Sequence, residues 1–231
     1  EGYYKDMRNV LEYKDGVSFF GSSSGWENKV EMGKGRSAGI EFMAQKTAGK
    51  TTGWLSYTLS KSDRKFTKGG INNGEWFPYK YDRRHSINLT INHKFSDRID
   101  IGASWVFYTG GTSTIPEEKT TVIRPHNGAN NGFLWYGTYD NTNSSPTIGD
   151  VSYIEHRNNF RLPASHRLNL GVNFNKKTKH GMRTWNISLY NAYNAMNPAW
   201  VYRGHNKQGL SVIKKYTLLP LIPSFTYTYK F

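Results

Sequence analysis

Leu221-Ile-Pro-Ser-Phe-Thr-Tyr-Thr-Tyr-Lys-Phe231 is the stretch that decides the fold. Phe225, Tyr227, Tyr229 and Phe231 take alternate positions, with Ser224, Thr226, Thr228 and Lys230 between them. Successive side chains of a strand point to opposite faces, so this segment has one aromatic face and one small polar face. A bare aromatic edge strand invites aggregation of a soluble sheet. A strand of a membrane barrel needs this pattern: apolar toward lipid, polar toward the lumen, aromatic at the interface. The four aromatics are expected to serve as a carboxy-terminal assembly signal.

Working outward, the same two-faced pattern recurs. Residues 86–95 align Ile87, Leu89, Ile91, His93 and Phe95 against Ser86, Asn88, Thr90 and Asn92. Residues 99–108 set Ile101, Ala103, Trp105 and Phe107 against Gly102 and Ser104. Residues 166–175 set Leu168, Leu170, Val172 and Phe174 against Asn169, Gly171, Asn173 and Asn175. Shorter versions occur at 37–46 (Ile40, Phe42, Ala44), 53–60 (Leu55, Tyr57, Leu59) and 182–193 (Trp185, Ile187, Leu189). With 2–13 as the first, this predicts about eight strands, each about the ten residues of a tilted spanning strand.

One alternating strand is weak evidence, since any half-buried antiparallel sheet produces it. The connections add to it. Long stretches near 14–34, 67–80, 111–163 and 195–216 alternate with short ones at 47–51, 96–98 and 176–181. Every long loop then falls at one end, as in a membrane barrel with long extracellular loops. Soluble sandwiches use loops of roughly 4–6 residues and have no reason to gather the long ones. Two architectures remain open: a free-standing barrel of about eight strands, structural or adhesive, or part of a larger one. The chain opens at Glu1-Gly-Tyr-Tyr without an initiator Met, a signal peptide or a turn, which predicts a cut from a longer barrel.

Composition agrees. Of 231 residues 36% are hydrophobic, and the mean hydropathy is -0.71. Barrel strands need only every second residue apolar, so a polar average is expected. No apolar run approaches the roughly 18 residues of a membrane helix. Sixteen Tyr and seven Trp would supply interfacial girdles. Cysteine is absent, which removes disulfide, thiolate-metal and cysteine-nucleophile chemistry. The net charge of +14 first suggests nucleic acid. The basic residues are scattered, however, and Asp63 interrupts even Lys61–Lys65, so no nucleic acid partner is expected. Phosphate on an outer-leaflet glycolipid is the alternative anion. A basic, aromatic-rich soluble β protein is disfavoured because its long loops would all lie on one side.

Individual motifs weigh against chemistry. Asp82-Arg83-Arg84-His85 cannot converge as a triad, because neighbours on a strand point apart, so it is expected to be a rim cluster of ion pairs. Histidines at 85, 93, 126, 156, 166, 180 and 205 have no i,i+4 pair, so no metal site is predicted. His93 and His166 fall where strands would meet the interface. Sequons at Asn88, Asn143 and Asn186 are frequent by chance, and two fall in predicted strands. The 111–163 loop carries Arg124, His126, Trp135, Tyr136, Tyr139, Tyr153, His156 and Arg157. Such aromatics with Arg and His can stack on sugars or catecholates and attract anions, or can simply hold the loop together. Its Gly-Asn stretches, 127–132 and 140–145, are turn material. Trp54 breaks the small-polar face of its strand.

Residues 79–116 carry something more specific. Tyr79-Lys-Tyr-Asp-Arg-Arg-His-Ser86 leads into one strand and Trp105-Val-Phe-Tyr-Thr-Gly-Gly-Thr-Ser-Thr-Ile-Pro116 leaves the next. These resemble the Asp-Arg-Arg-His and Thr-Gly-x-x-x-Thr-x-Pro segments of TonB-dependent outer-membrane receptors of the Bacteroidetes type. Glu1-Gly-Tyr-Tyr-Lys-Asp-Met-Arg-Asn-Val-Leu-Glu-Tyr13 resembles a late barrel strand of that family. Tyr190-Asn-Ala-Tyr-Asn-Ala-Met-Asn-Pro198 and Pro220-Leu-Ile-Pro-Ser-Phe225 resemble its penultimate and final strands. The resemblance implies an all-β fold, an antiparallel transmembrane β-barrel of which residues 1–231 form the carboxy-terminal part. The complete barrel would have about 22 strands and a plugged lumen. It implies residence in a Gram-negative outer membrane, in contact with lipid and glycolipid. The missing plug of the same protein and, through a missing amino-terminal region, an inner-membrane energy-transducing complex would be its partners. A surface lipoprotein lid is a further partner the family admits. Import of a ferric siderophore, a corrinoid, an oligosaccharide or a peptide is the implied activity, with no cofactor, no covalent chemistry and hence no enzyme.

Overall fold

The computed structural model describes residues 1–14, 25–68, 71–116, 118–124 and 147–231. Eight long strands form one antiparallel sheet: β1 (Gly2–Tyr13), β2 (Val30–Lys46), β3 (Thr51–Lys65), β4 (His85–Lys94), β5 (Ile99–Tyr108), β6 (Ser165–Thr178), β7 (Gly181–Tyr190) and β8 (Ile222–Lys230). Each strand pairs with the next in sequence, and the two-residue piece Phe77–Pro78 adds to β3. The fold is all-β. Among the described residues β1 pairs only with β2 and β8 only with β7, so the sheet is open and not closed on itself. Among the described residues no helix is long and apolar enough to cross a membrane.

Register joins the apolar residues of separate strands into continuous rows. Leu55, Leu89, Trp105 and Leu168 face one another across β3 to β6. Ile91, Ala103, Leu170 and Leu189 form the next row, and His93, Ile101, Val172, Ile187 and Phe225 the one beyond. Aromatic and aliphatic cross-strand pairs of this kind stabilise a sheet by about 0.2–1 kcal/mol each. Little covers this face: Phe225 is 65% exposed and Ile40 64%. The chain exposes 16781 Å², against about 11,000 Å² expected of a compact protein of this mass.

The opposite face is polar and bonded to itself. Asp100 accepts hydrogen bonds from the amides of Asn173 and Asn175, both at 2.7 Å. Asn186 donates to Asn173 and the Thr184 hydroxyl donates to Asn175, again at 2.7 Å. One carboxylate thus organises a network over β5, β6 and β7. Charge-assisted bonds of this sort are stronger than neutral ones.

Short connections at 47–50, 95–98 and 179–180 lie at one end of the sheet. The long ones, 14–29, 66–84, 109–164 and 191–221, lie at the other. β2 and β3 run well past the predicted 37–46 and 53–60. There Lys34, Arg36, Lys61, Asp63 and Lys65 carry charge on the face that is apolar lower down, which erases the alternation. The predicted loop 195–216 contains a hairpin, Pro198–His205 with Ser211–Thr217, held by Trp200 stacked on Tyr216 at 4.3 Å. A second hairpin, Glu118–Arg124 with Thr147–Tyr153, lies within the predicted 111–163 loop.

The buried hydrophobic cluster sits at the long-loop end, on the polar side of the sheet. Phe66, Ile71 and Phe77 are buried, with Val10 packed on them. Asn9 adopts a left-handed conformation (φ 57°) at a bulge in β1. The extra residue reverses the facing of the chain, so that Val10 stands opposite Gly33. Gly33 is required by space. A Cβ there would lie 2.4 Å from the Lys65 carbonyl oxygen and 2.4 Å from the Phe66 ring.

Gly33→Val should expel Phe66 and loosen the 66–84 loop while leaving the strands paired. Limited proteolysis should then cut 66–78 at least about tenfold faster than wild type at unchanged strand content, a change of about 1.4 kcal/mol in local opening. Equal cutting rates would refute this packing. At the opposite end, in the turn 95–98, Asp97 lies 2.9 Å from the Lys94 ammonium. The hydrogen bond from Lys94, and then its charge, hold the Asp97 carboxyl below its ordinary 3.8. A lowered folded-state value stabilises above the unfolded value and is lost as pH falls through the folded one. A carboxyl-resolved NMR titration should place the Asp97 midpoint below 3.8, and Lys94→Gln should return it; an unmoved midpoint in the variant would count against the pair.

Candidate functional site

The long-loop end is where side chains converge. Segments 66–84, 109–116 and 154–163 fold against one another, because each supplies hydrogen-bonding groups that the others need. Asn158 donates to the Pro78 carbonyl at 2.7 Å and its N–H reaches the Thr114 hydroxyl at 3.0 Å. Asn159 bonds both the N–H and the carbonyl of Ile115, at 2.9 Å each. Phe160–Arg161 pairs with Thr112–Ser113. The result is an ordered platform.

Asp82 is its electrostatic centre. It is 1% exposed. One oxygen accepts the Ser62 N–H at 2.7 Å; the other meets Arg84 at 3.1 Å and Arg161 at 2.6 Å. Arg161 also donates to the carbonyls of Asp82 and Gly110. Arg83 takes no part and lies over the Tyr108 ring at 3.9 Å. His85 stacks on Tyr57, whose hydroxyl lies 2.9 Å from Nδ1. Asp82-Arg83-Arg84-His85 therefore divides into a buried ion-pair centre and two outliers, and no triad forms.

The residues expected from the 111–163 loop are not brought together in what is described. His126, Trp135, Tyr136 and Tyr139 lie outside the described residues. Arg124 and Tyr153 pair with Thr147 and Glu118, at opposite ends of their hairpin. His156 is exposed, 3.9 Å from Glu155. Arg157 is a strut: it donates to the Tyr13 carbonyl at 2.7 Å, pairs with Glu12 at 3.3 Å, and its N–H meets the Asn72 side chain at 2.6 Å. It ties this loop to β1.

A cleft of about 420 Å³ opens beside the platform, lined by Lys80, Tyr81, Arg83, Tyr108 and Trp200 among others. Tyr108 also walls a smaller space of about 180 Å³ with Arg167 and Tyr190. Arg167 lies over the Tyr190 ring at 4.3 Å and donates to its hydroxyl. Of these residues sequence singles out only Arg83 as a site candidate, although Lys80, Tyr81, Tyr108 and Tyr190 lie within the family-like segments. The usable signal was Arg167 itself, a large cation on a face otherwise built from Asn, Gly and Ser.

The asparagine-rich segment after β7 closes the site from the other side. Asn191, 1% exposed, bonds the N–H and carbonyl of Ala195 and the carbonyl of Leu219. Asn194 accepts the Leu221 N–H at 3.0 Å, and Asn197 bonds both backbone groups of His166. Asn191 and Asn194 both have φ 53°, a conformation Asn tolerates better than other side chains. The spacing of three thus fastens the loop to β6 and to the approach of β8. At the sheet's apolar face His93 lies 2.7 Å from the Thr51 hydroxyl and edge-on to Phe95, and His166 lies 2.9 Å from the Tyr193 hydroxyl. Among the described residues no three His, Asp or Glu side chains gather closely enough to hold a metal ion.

Comparison with protein-family models gives no match for this chain, and comparison with curated proteins gives none at a significant level.

Asp82→Asn should strip the counter-charge from Arg84 and Arg161 while keeping the shape. Breaking such a buried pair costs about 3–5 kcal/mol, here toward the lower figure because both arginines are about one-third exposed. Thermal unfolding of the variant should shift down by several degrees, and Arg161→Gln should cost less in the Asp82→Asn background than in the wild type, where it also leaves the carboxylate short of a partner. Additive losses would show that the two do not act together.

Proposed function

We propose that this chain is the carboxy-terminal barrel part of an outer-membrane TonB-dependent transporter of the Bacteroidetes type. The observation that carries the proposal is the open eight-strand meander with rows of apolar residues on one face, one hydrogen-bonded polar face and every long connection at one end. A spanning barrel needs an apolar exterior and a polar interior. The sheet supplies both surfaces, and its two free edges accommodate the further strands of a barrel of about 22. The apolar rows would meet lipid, His93 and His166 would sit near the two interfaces, and Trp54, on the polar face, would meet the plug. The platform around Asp82 would lie at the outer rim.

On this reading the long loops capture a large scarce nutrient, such as a ferric siderophore, a corrinoid, an oligosaccharide or a peptide. Plug rearrangement, driven from the inner membrane, then releases it inward. The chain contributes binding surface and wall, and no covalent step.

A free-standing eight-stranded barrel would bring β1 and β8 together. Because the chain has no cysteine, pairs such as Lys5→Cys with Thr226→Cys and Tyr3→Cys with Thr228→Cys report that approach cleanly. Oxidation of the protein in outer-membrane preparations should give no intramolecular disulfide for any register tested. High-yield cross-linking would establish the small barrel and overturn the transporter. Recovery of the protein in the aqueous phase without detergent would overturn the membrane placement altogether.

A further inference from the structure

Cations around the platform and the cleft differ in how their charge is met. Arg84 and Arg161 spend their charge on Asp82, and Arg157 spends its charge on Glu12. Lys80, Arg83 and Arg167 meet rings instead: Tyr81 at 4.9 Å, Tyr108 at 3.9 Å and Tyr190 at 4.3 Å. Among the described residues none of these three has a carboxylate partner, and no Asp or Glu lines the cleft or the smaller space. Arg167 Nε is buried with no acceptor. A buried donor left unmatched costs about 1–3 kcal/mol. A cation held on a ring keeps its in-plane N–H groups free for an acceptor. The three cations are therefore oriented but not neutralised: Lys80 and Arg83 line the cleft and Arg167 the smaller space, with Tyr108, Pro198 and Ala199 common to both.

The rest of the wall sets the rings of Tyr81 and Trp200 beside Thr112, Ser113 and Ser165. Tyr81 is 63% exposed and Trp200 49%, and Trp200 is fixed by its stack on Tyr216. Aromatic faces set beside unneutralised cations match one ligand chemistry.

We propose that the cleft beside Tyr108 binds a ring-bearing carboxylate, its anionic group taken by Arg83 and Lys80 and its ring laid on Tyr81 or Trp200. Arg gives the bidentate fork a carboxylate needs, and the rings supply stacking area. Two sources share that chemistry, an acidic sugar and an aromatic acid. The inference deepens the proposed function and rests on it only for the side from which the ligand arrives.

Titration calorimetry on the intact protein tests this, with trigalacturonate as the acidic sugar, 2,3-dihydroxybenzoate as the aromatic acid and maltotriose as the neutral sugar. At least one acid should bind and maltotriose should not; the acid that binds identifies the source. Arg83→Gln should weaken binding by about tenfold or more, the loss of a charge-assisted hydrogen bond. Arg98→Gln, in the turn at the far end of the sheet, should leave it unchanged. Should Arg83→Gln fail to fold, salt on the wild type decides: raising NaCl from about 20 mM to about 500 mM shortens the screening length from about 20 Å to about 4 Å and should weaken binding severalfold. Failure of both acids to bind, equal binding of maltotriose, or indifference to salt would overturn the inference. Binding by a protein that needs no detergent would leave it standing while removing the membrane reading.

Discussion

Side-chain alternation in register is the constraint on which the rest of this structure depends. Each strand alone gives only a two-faced ribbon. Pairing β3 to β6 in the observed register places Leu55, Leu89, Trp105 and Leu168 side by side, and a slip of one residue anywhere would send a whole strand's apolar set to the polar face. The same register is needed by the opposite face, where Asp100, Asn173 and Asn186 can bond only if they too stand abreast. Each face therefore enforces the other. Among the described residues the sheet forms a single layer with no second layer over the apolar rows, and the buried hydrophobic cluster lies at the end where loops fold back over Phe66, Ile71 and Phe77.

The strands were legible wherever one face was consistently apolar, as in β4, β5, β6 and β8. They were illegible where charge replaced that face. Lys34, Arg36 and Lys61 lie on the side that carries Ile40 and Leu59 lower down, so alternation of hydrophobicity stops while alternation of geometry continues. The loop hairpins escaped for a different reason: Trp200 and Tyr216 pair with each other rather than with a core, and a period-two search does not detect a contact sixteen residues apart. Asn191, Asn194 and Asn197 were noted as a family-like pattern, but their work is backbone bonding, which composition does not reveal.

The candidate site was less legible still, since it depends on which cations are already spent. In sequence Arg83 and Arg84 are equivalent neighbours of one carboxylate. In the fold Arg84 joins Asp82, and Arg161, distant in sequence, fills the remaining position. Arg83 is left to Tyr108. A count of charges over the segment sees only a basic cluster; only the geometry separates a structural counter-ion from a cation free to meet a ligand.

The sheet's edges bear on the architecture independently of any motif. Among the described residues, the outer side of β1 and the outer side of β8 present main-chain N–H and C=O groups at roughly every second residue with no strand beside them. In water such groups would be solvated, at the risk of association. In hydrocarbon each unmatched group costs several kcal/mol, so a sheet with these apolar rows cannot reside in a bilayer with its edges open. Either the edges meet each other or further strands lie between them. Curving eight strands until the ends met would leave an interior just wide enough for side chains to fill. The small residues of the polar face, Gly102, Ser104, Gly171, Ser188 and Ser224, would fill that space poorly. Gly102 faces Gly171 directly across β5 and β6, leaving room on the polar side that a wider barrel can give to a separate domain.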